Sequence, residues 1–184
     1  FIFIFSRILM TISGKIYPTK SKNIITLYKR IKSNKNNLGM NIGGCHIFSD
    51  KKITYKVFVS REIMKRNRKQ KLNLETKKIF WDNRFEIAGK YKQILYFLRE
   101  LDKSIFLDQL KLDGWKQLCL QNKEFKKNNK IPIKCILSLP VIKNKAMNLI
   151  SIPNLKYYSS FENKKNFSDI YFNFKPNISL SHFN

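Results

Sequence analysis

Residues 43–59, GGCHIFSDKKITYKVFV, are where the apolar pattern of this chain changes period. Gly43 and Gly44 lead into Cys45-His46-Ile47-Phe48, and Ser49-Asp50-Lys51-Lys52 has turn chemistry. Ile53, Tyr55, Val57 and Val59 then alternate cleanly, as one face of a strand does. The spacing predicts a β-hairpin, with Cys45 and Ile47 on its buried face.

Upstream the period is helical. Phe5, Ile8, Leu9 and Ile12 follow the i, i+3, i+4, i+7 rule, and Gly14 is a stop signal. A second helix is expected from Tyr17-Pro18-Thr19, with Pro18 near its first turn. Its stripe of Ile24, Leu27, Tyr28 and Ile31 reads as core packing between the two helices. SNKNN at 33–37 is a polar connector.

Downstream, short strands dominate. Residues 79–87, IFWDNRFEI, read as one strand, with Trp81, Phe85 and Ile87 on one face and Phe80, Asp82, Arg84 and Glu86 on the other. Residues 94–98 read as a further strand, although YKQILYFLREL also admits a helix. Leu107, Leu110, Trp115 and Leu118 suggest a helical stretch around Gly114-Trp115. Residues 122–130 form a polar connector, and a short helix runs from Ile131-Pro132 to Leu139-Pro140. Strands are expected at 149–152, 155–158 and 170–174, with a loop at 162–166. The expected class is α+β: an N-terminal helical pair over 1–38, then a mostly antiparallel β domain with short helices over 39–184.

The chain has 184 residues, with 37 basic against 12 acidic side chains and a net charge of +25. A field of that sign captures polyanions, so an RNA or DNA partner is expected. Lys far outnumbers Arg, which also fits the codon bias of an AT-rich genome. The densest positive stretch is residues 64–78, MKRNRKQKLNLETKK. It reads either as a solvated loop or as an arm against phosphates, with Lys65, Arg66, Arg68, Lys69 and Lys71 as the contacts. Trp81 and Trp115 are candidates for stacking on unpaired bases, against the plainer reading of buried core.

Several chemistries lack their residues. No apolar run approaches the ~18–20 residues of a membrane span, so no membrane partner is expected. Cys45, Cys119 and Cys135 form no C-x-x-C and have no histidine pair beside them, so no metal site is expected. Three is an odd number for a disulfide framework, which points to a reducing compartment. Adjacent Cys45-His46 is a weak metal or nucleophile signal. Phosphate-binding loops and nucleophile elbows are missing; Ser13-Gly14-Lys15 is a fragment of the former. Asp82 and Glu86 flank Arg84, which favours a salt-bridged cluster over an acid/base pair.

Read in order, several segments resemble a known family. GGCHIF at 43–48 with VSREI at 59–63 is similar to the sheet-entry segment of tRNA(Ile)-lysidine synthases of the alphaproteobacterial type. WDNRFEI at 81–87 resembles the W-D-x-R-F segment that follows it there. RILMTISGKIYP at 7–18 is similar to the preceding helical stretch. LPVI at 139–142 with LISIPNLKYY at 149–158 looks like the family's hairpin, and IYFNFKPNISL at 170–180 resembles its terminal F-x-P-x-x-x-L.

The resemblance implies an ATP-dependent carbon–nitrogen ligase acting on tRNA. Such enzymes adenylate the wobble cytidine of an isoleucine tRNA with a CAU anticodon, and lysine then displaces the adenylate to give lysidine. Activation, with ATP and Mg2+, belongs to an N-terminal PP-loop domain carrying S-G-G-x-D-S. This chain has no such motif, and Gly43-Gly44 is followed by Cys45. The resemblance therefore covers the C-terminal portion, which binds tRNA, and it places no catalytic residue here. Because the chain begins at Phe1, it is expected to be the downstream part of something longer, a fragment, split-gene product or remnant, and inactive in ligation alone. The PP-loop domain would be separately encoded or missing. The composition suggests a mitochondrial, organelle-encoded protein, with the bacterial cytoplasm as the alternative. The competing function is a stand-alone basic RNA-binding protein, such as an organellar ribosome-associated one.

Overall fold

The computed structural model describes residues 1–33, 39–49, 56–64, 70–72, 79–89, 104–128 and 131–177. The chain divides into two compact units. The first contains Phe1–Glu62, Asp82–Arg84 and Lys175–Asn184, and the second contains Ile63–Trp81 and Phe85–Phe174. The class is α+β, with two N-terminal helices followed by antiparallel sheets and short helices.

In the first unit, helix α1 (Ile2–Ser13) is closed by Gly14, whose φ of 66° is the left-handed conformation that ends helices. Helix α2 (Ser21–Lys32) starts two residues after the expected Tyr17-Pro18-Thr19. Lys29, Arg30 and Lys32 fill its last turn, where cations complement the helix dipole. Three antiparallel strands follow: β1 (Gly39–Ile42), β2 (Cys45–Ser49) and β3 (Val57–Arg61). The expected hairpin is β2–β3, with Ile47 opposite Val59. Gly43 and Gly44 form the tight turn between β1 and β2, both at positive φ. Leu9, Ile24, Leu27, Ile42, Cys45 and Ile47 are the buried core, padded by Phe5, Ile12, Ile31, Met40 and Val59. Each fully buried aliphatic side chain contributes roughly 1.5–3 kcal/mol over its exposed state. Val57 and Tyr28, expected on buried faces, are exposed.

The described residues of the second unit form two sheets. The larger has the order β10-β9-β8-β7-β4, built from β4 (Gln70–Lys71), β7 (Ile105–Gln109), β8 (Pro140–Asn144), β9 (Leu149–Ile152) and β10 (Tyr157–Tyr158). The smaller has the order β11-β6-β5, from β5 (Ile79–Trp81), β6 (Phe85–Ala88) and β11 (Tyr171–Phe174). Its described helices are α3 (Lys111–Gln121), α4 (Lys123–Asn128), α5 (Ile133–Ile136) and α6 (Phe161–Phe167). One core gathers Trp81, Phe85, Ile87, Leu107, Ile142, Phe167 and Phe172. The other gathers Leu110, Trp115, Leu118, Ile136, Val141, Leu149 and Ile152.

Four local expectations are corrected. Residues 79–87 are not one strand: Asp82 and Asn83 take φ of 53° and 55° and turn the chain back on itself. Asp and Asn tolerate that region better than other non-glycine residues. Trp81 lies directly opposite Phe85, so the expected apolar face survives the fold-back. Residues 123–128, expected as connector, are α4. Residues 162–166, expected as loop, lie in α6, because the Ser160 hydroxyl caps it by accepting from the Asn163 amide at 3.1 Å. Pro153–Leu155 is a 3-10 turn, which leaves only Tyr157–Tyr158 of the expected strand. The strand at 94–98, the connector at 34–37 and the turn at 50–52 lie outside the described residues.

Candidate nucleic-acid interface

Of the five expected phosphate contacts, Lys65, Arg66, Arg68 and Lys69 lie outside the described residues. Lys71 is exposed on β4, opposite Phe106 of β7. A second basic surface, not singled out from the sequence, lies on α2. Lys22, Lys29, Arg30 and Lys32 are exposed there, Lys20 precedes the helix, and α2 contains no acid. Its signal was present: Ile24, Leu27 and Ile31 fix the inward face, so the remaining cations must point outward.

Both tryptophans are core. Trp81 is 2% exposed and Trp115 8%, so neither presents a face to a base. The Cys45-His46 pair is divided by the pleat, because successive strand residues point to opposite faces. The Cys45 thiol is buried and donates to the Leu9 carbonyl at 3.4 Å. Burial pushes its pKa up to about 12, against the pull of Arg61 and Arg84, so it is a thiol and not a nucleophile near neutrality. His46 Nδ1 lies 2.6 Å from Asn41 Oδ1. Among the described residues, no three His, Cys, Asp or Glu side chains are grouped so as to hold a metal ion.

The opening turn of WDNRFEI is the centre of a buried polar cluster in the first unit. Arg61 donates from Nε to Asp82 Oδ2 and from Nη2 to Asp82 Oδ1, both at 3.1 Å, in the two-pronged geometry of a guanidinium–carboxylate pair. Its Nη1 donates to the Gly44 carbonyl at 3.0 Å. Arg84 reaches the same carboxylate from Nε at 2.9 Å and from Nη2 at 2.7 Å. Burial lowers the Arg84 pKa, and Asp82 pulls it back up. Asn83 donates from Nδ2 to the Gly14 carbonyl at 3.2 Å. The amides of Lys175 and Asn177 donate to the carbonyls of Arg84 and Asn83 at 2.7 and 3.1 Å.

Packing around this cluster leaves no room. A Cβ on Gly14 would sit 2.4 Å from the Asp82 carbonyl oxygen, and one on Gly44 would sit 2.8 Å from Arg61 Nη1. The Asp82 carboxylate is saturated by two guanidinium groups, so it is not placed to move protons for a substrate. Of the expected Asp82–Arg84–Glu86 cluster, the Asp82–Arg84 pair is present, and Arg61, which the sequence did not reveal, is the second partner of Asp82. The chemistry on offer in the first unit is a set of exposed cations on α2 and a buried turn whose carboxylate is shared by two guanidinium groups. No family model, curated protein or solved structure matches this chain.

Proposed function

We propose that this chain is the tRNA-binding, C-terminal portion of a tRNA(Ile)-lysidine synthase, holding the isoleucine tRNA while a PP-loop domain performs the ligation. One observation carries the reading. The segments that resemble the family are scattered from residue 7 to residue 180, yet most of them supply residues to the same buried cluster. RILMTISGKIYP supplies Gly14, GGCHIF supplies Gly44, and VSREI supplies Arg61. WDNRFEI supplies Asp82, Asn83 and Arg84, and IYFNFKPNISL supplies Lys175 and Asn177. Segments that matched by chance have no reason to converge. The remaining pair, LPVI and LISIPNLKYY, forms the β8–β9 hairpin in the second unit.

In this reading the exposed cations of α2, Lys71 and its basic neighbours contact phosphates, which position the tRNA and carry no sequence information by themselves. ATP and Mg2+ belong to the PP-loop domain. No catalytic step is assigned to this chain. The partners are the isoleucine tRNA and that domain, and the compartment is the mitochondrion.

Filter binding tests the proposal. The chain should prefer isoleucine tRNA with a CAU anticodon over other tRNAs, and affinity should fall steeply between low and physiological salt. Equal affinity for all tRNAs defeats it and favours a stand-alone basic RNA-binding protein, for which the net charge of +25 is the supporting observation. Flat salt dependence defeats both.

A further inference from the structure

The second unit carries an open cleft of about 580 Å3, within the roughly 300–1,000 Å3 range of small-ligand sites. We propose that it receives an unpaired RNA nucleotide, with Phe161 stacking on the base and Lys156 and Lys164 holding the flanking phosphates. The inference rests on the reading that this chain binds RNA, and it adds a site for a flipped or looped-out base that nothing in the basic stretches suggests.

Local structure builds the cleft. The 3-10 turn Pro153–Leu155 ends at Lys156, which takes φ of 51° and donates its amide to the Pro153 carbonyl at 3.0 Å. The chain then enters β10, where Tyr157 and Tyr158 pair with Ile152 and Ser151. Ser160 caps α6, and this cap fixes the direction in which Phe161 leaves the backbone. Residues of the α3–α4 corner, Asn122 and Phe125 among them, form the opposite wall.

The two phenylalanines of the lining differ. Phe125 is anchored, its ring meeting that of Trp115 edge-on at 6.1 Å between centroids. Phe161 is 84% exposed, a large apolar ring held at a concave surface. Lys156 and Lys164 are both exposed beside it. Among the described lining residues there is no carboxylate, although Glu124 and Glu162 lie on the same helices, α4 and α6. The Tyr157 hydroxyl donates to Gln121 Oε1, so that wall is held in place by the protein itself. An aromatic platform with flanking ammonium groups, in a lining without carboxylates, is the combination that captures single-stranded nucleic acid, even with Asp169 acting on Tyr158 from outside the lining. A base inside a duplex cannot reach such a ring, so the site selects unpaired over paired RNA.

The test uses the full chain, a fluorescent oligouridylate and a short RNA duplex as probes, read by anisotropy. Phe161→Ala should weaken oligouridylate binding about tenfold, the size of lost base–aromatic stacking. Duplex binding should not change, and Phe161→Tyr should retain the single-strand affinity. Replacing Lys156 and Lys164 by Gln should lower the salt slope for oligouridylate by about 1.4. An unchanged single-strand affinity in Phe161→Ala, or an equal loss for both probes, overturns the cleft proposal while leaving tRNA binding standing. Failure of the unaltered chain to bind any RNA overturns both.

Discussion

Asp82 and Asp108 are both buried and each is shared by two cations, yet the two arrangements are built from different materials. Asp82 sits in a turn and is held by two guanidinium groups, Arg61 and Arg84. Asp108 sits on β7 and is held by two ammonium groups, Lys111 at 2.8 Å and Lys143 at 3.0 Å. Burial alone would raise the Asp108 pKa, but the hydrogen bonds from Lys111 and Lys143 outweigh it and hold the carboxyl below its ordinary value. The planar guanidinium fork fixes direction as well as charge and keeps its proton; an ammonium is a point charge that can lose its proton when orphaned. The first arrangement therefore fixes the geometry of a turn, whereas the second pairs a buried strand carboxylate with two point charges.

The largest expected effect breaks the first cluster. Asp82→Ala removes the anion that two buried guanidinium groups share, and should cost about 3–5 kcal/mol in urea unfolding at any pH near neutrality. Asp108→Ala should cost about 3 kcal/mol at neutral pH. Equal losses for the two variants would erase the distinction between the clusters.

Smaller changes sharpen it. Gly14→Ala forces a side chain into a left-handed backbone and against the Asp82 carbonyl, and should cost at least about 1–2 kcal/mol in thermal or urea unfolding. No loss would mean that α1 is not clamped to the turn. Cys45 gives a pH signature to the same unit. Its folded pKa is raised from 9.0 to about 12, so the folded state keeps a proton that the unfolded state releases. The stability this gives is complete below pH 9 and is lost as pH rises toward 12. The slope of stability against pH in that window should be shallower in Cys45→Ala, by up to about 1.4 kcal/mol per pH unit.

The helical pair and the β2–β3 hairpin were legible because their apolar periods are regular and their glycines sit at the ends. The turn at Asp82-Asn83 was not read, although both residue types favour left-handed backbone. Pairing Trp81 with Phe85 keeps the parity of the apolar face, so a straight strand and a hairpin look alike in sequence. Helices α4 and α6 were hidden by their lysines and asparagines; the cap from Ser160 stabilises α6 locally and leaves no periodic trace. Asp82–Arg84 could be anticipated as neighbours, but Arg61 lies 21 residues away from Asp82 and Lys143 lies 35 away from Asp108. Such pairings depend on strand register, which side-chain chemistry does not announce.

The clamp made by Lys175 and Asn177 on the carbonyls of Arg84 and Asn83 has a temporal consequence. A ribosome releases α1, α2 and the first three strands long before it makes residue 175. Until then the turn at 82–84 lacks two of its backbone partners, and the first unit exists only as an open assembly. Its closure is a late, long-range step, slower than local helix formation. Of the two units, the one whose synthesis starts earlier is thus the one completed later.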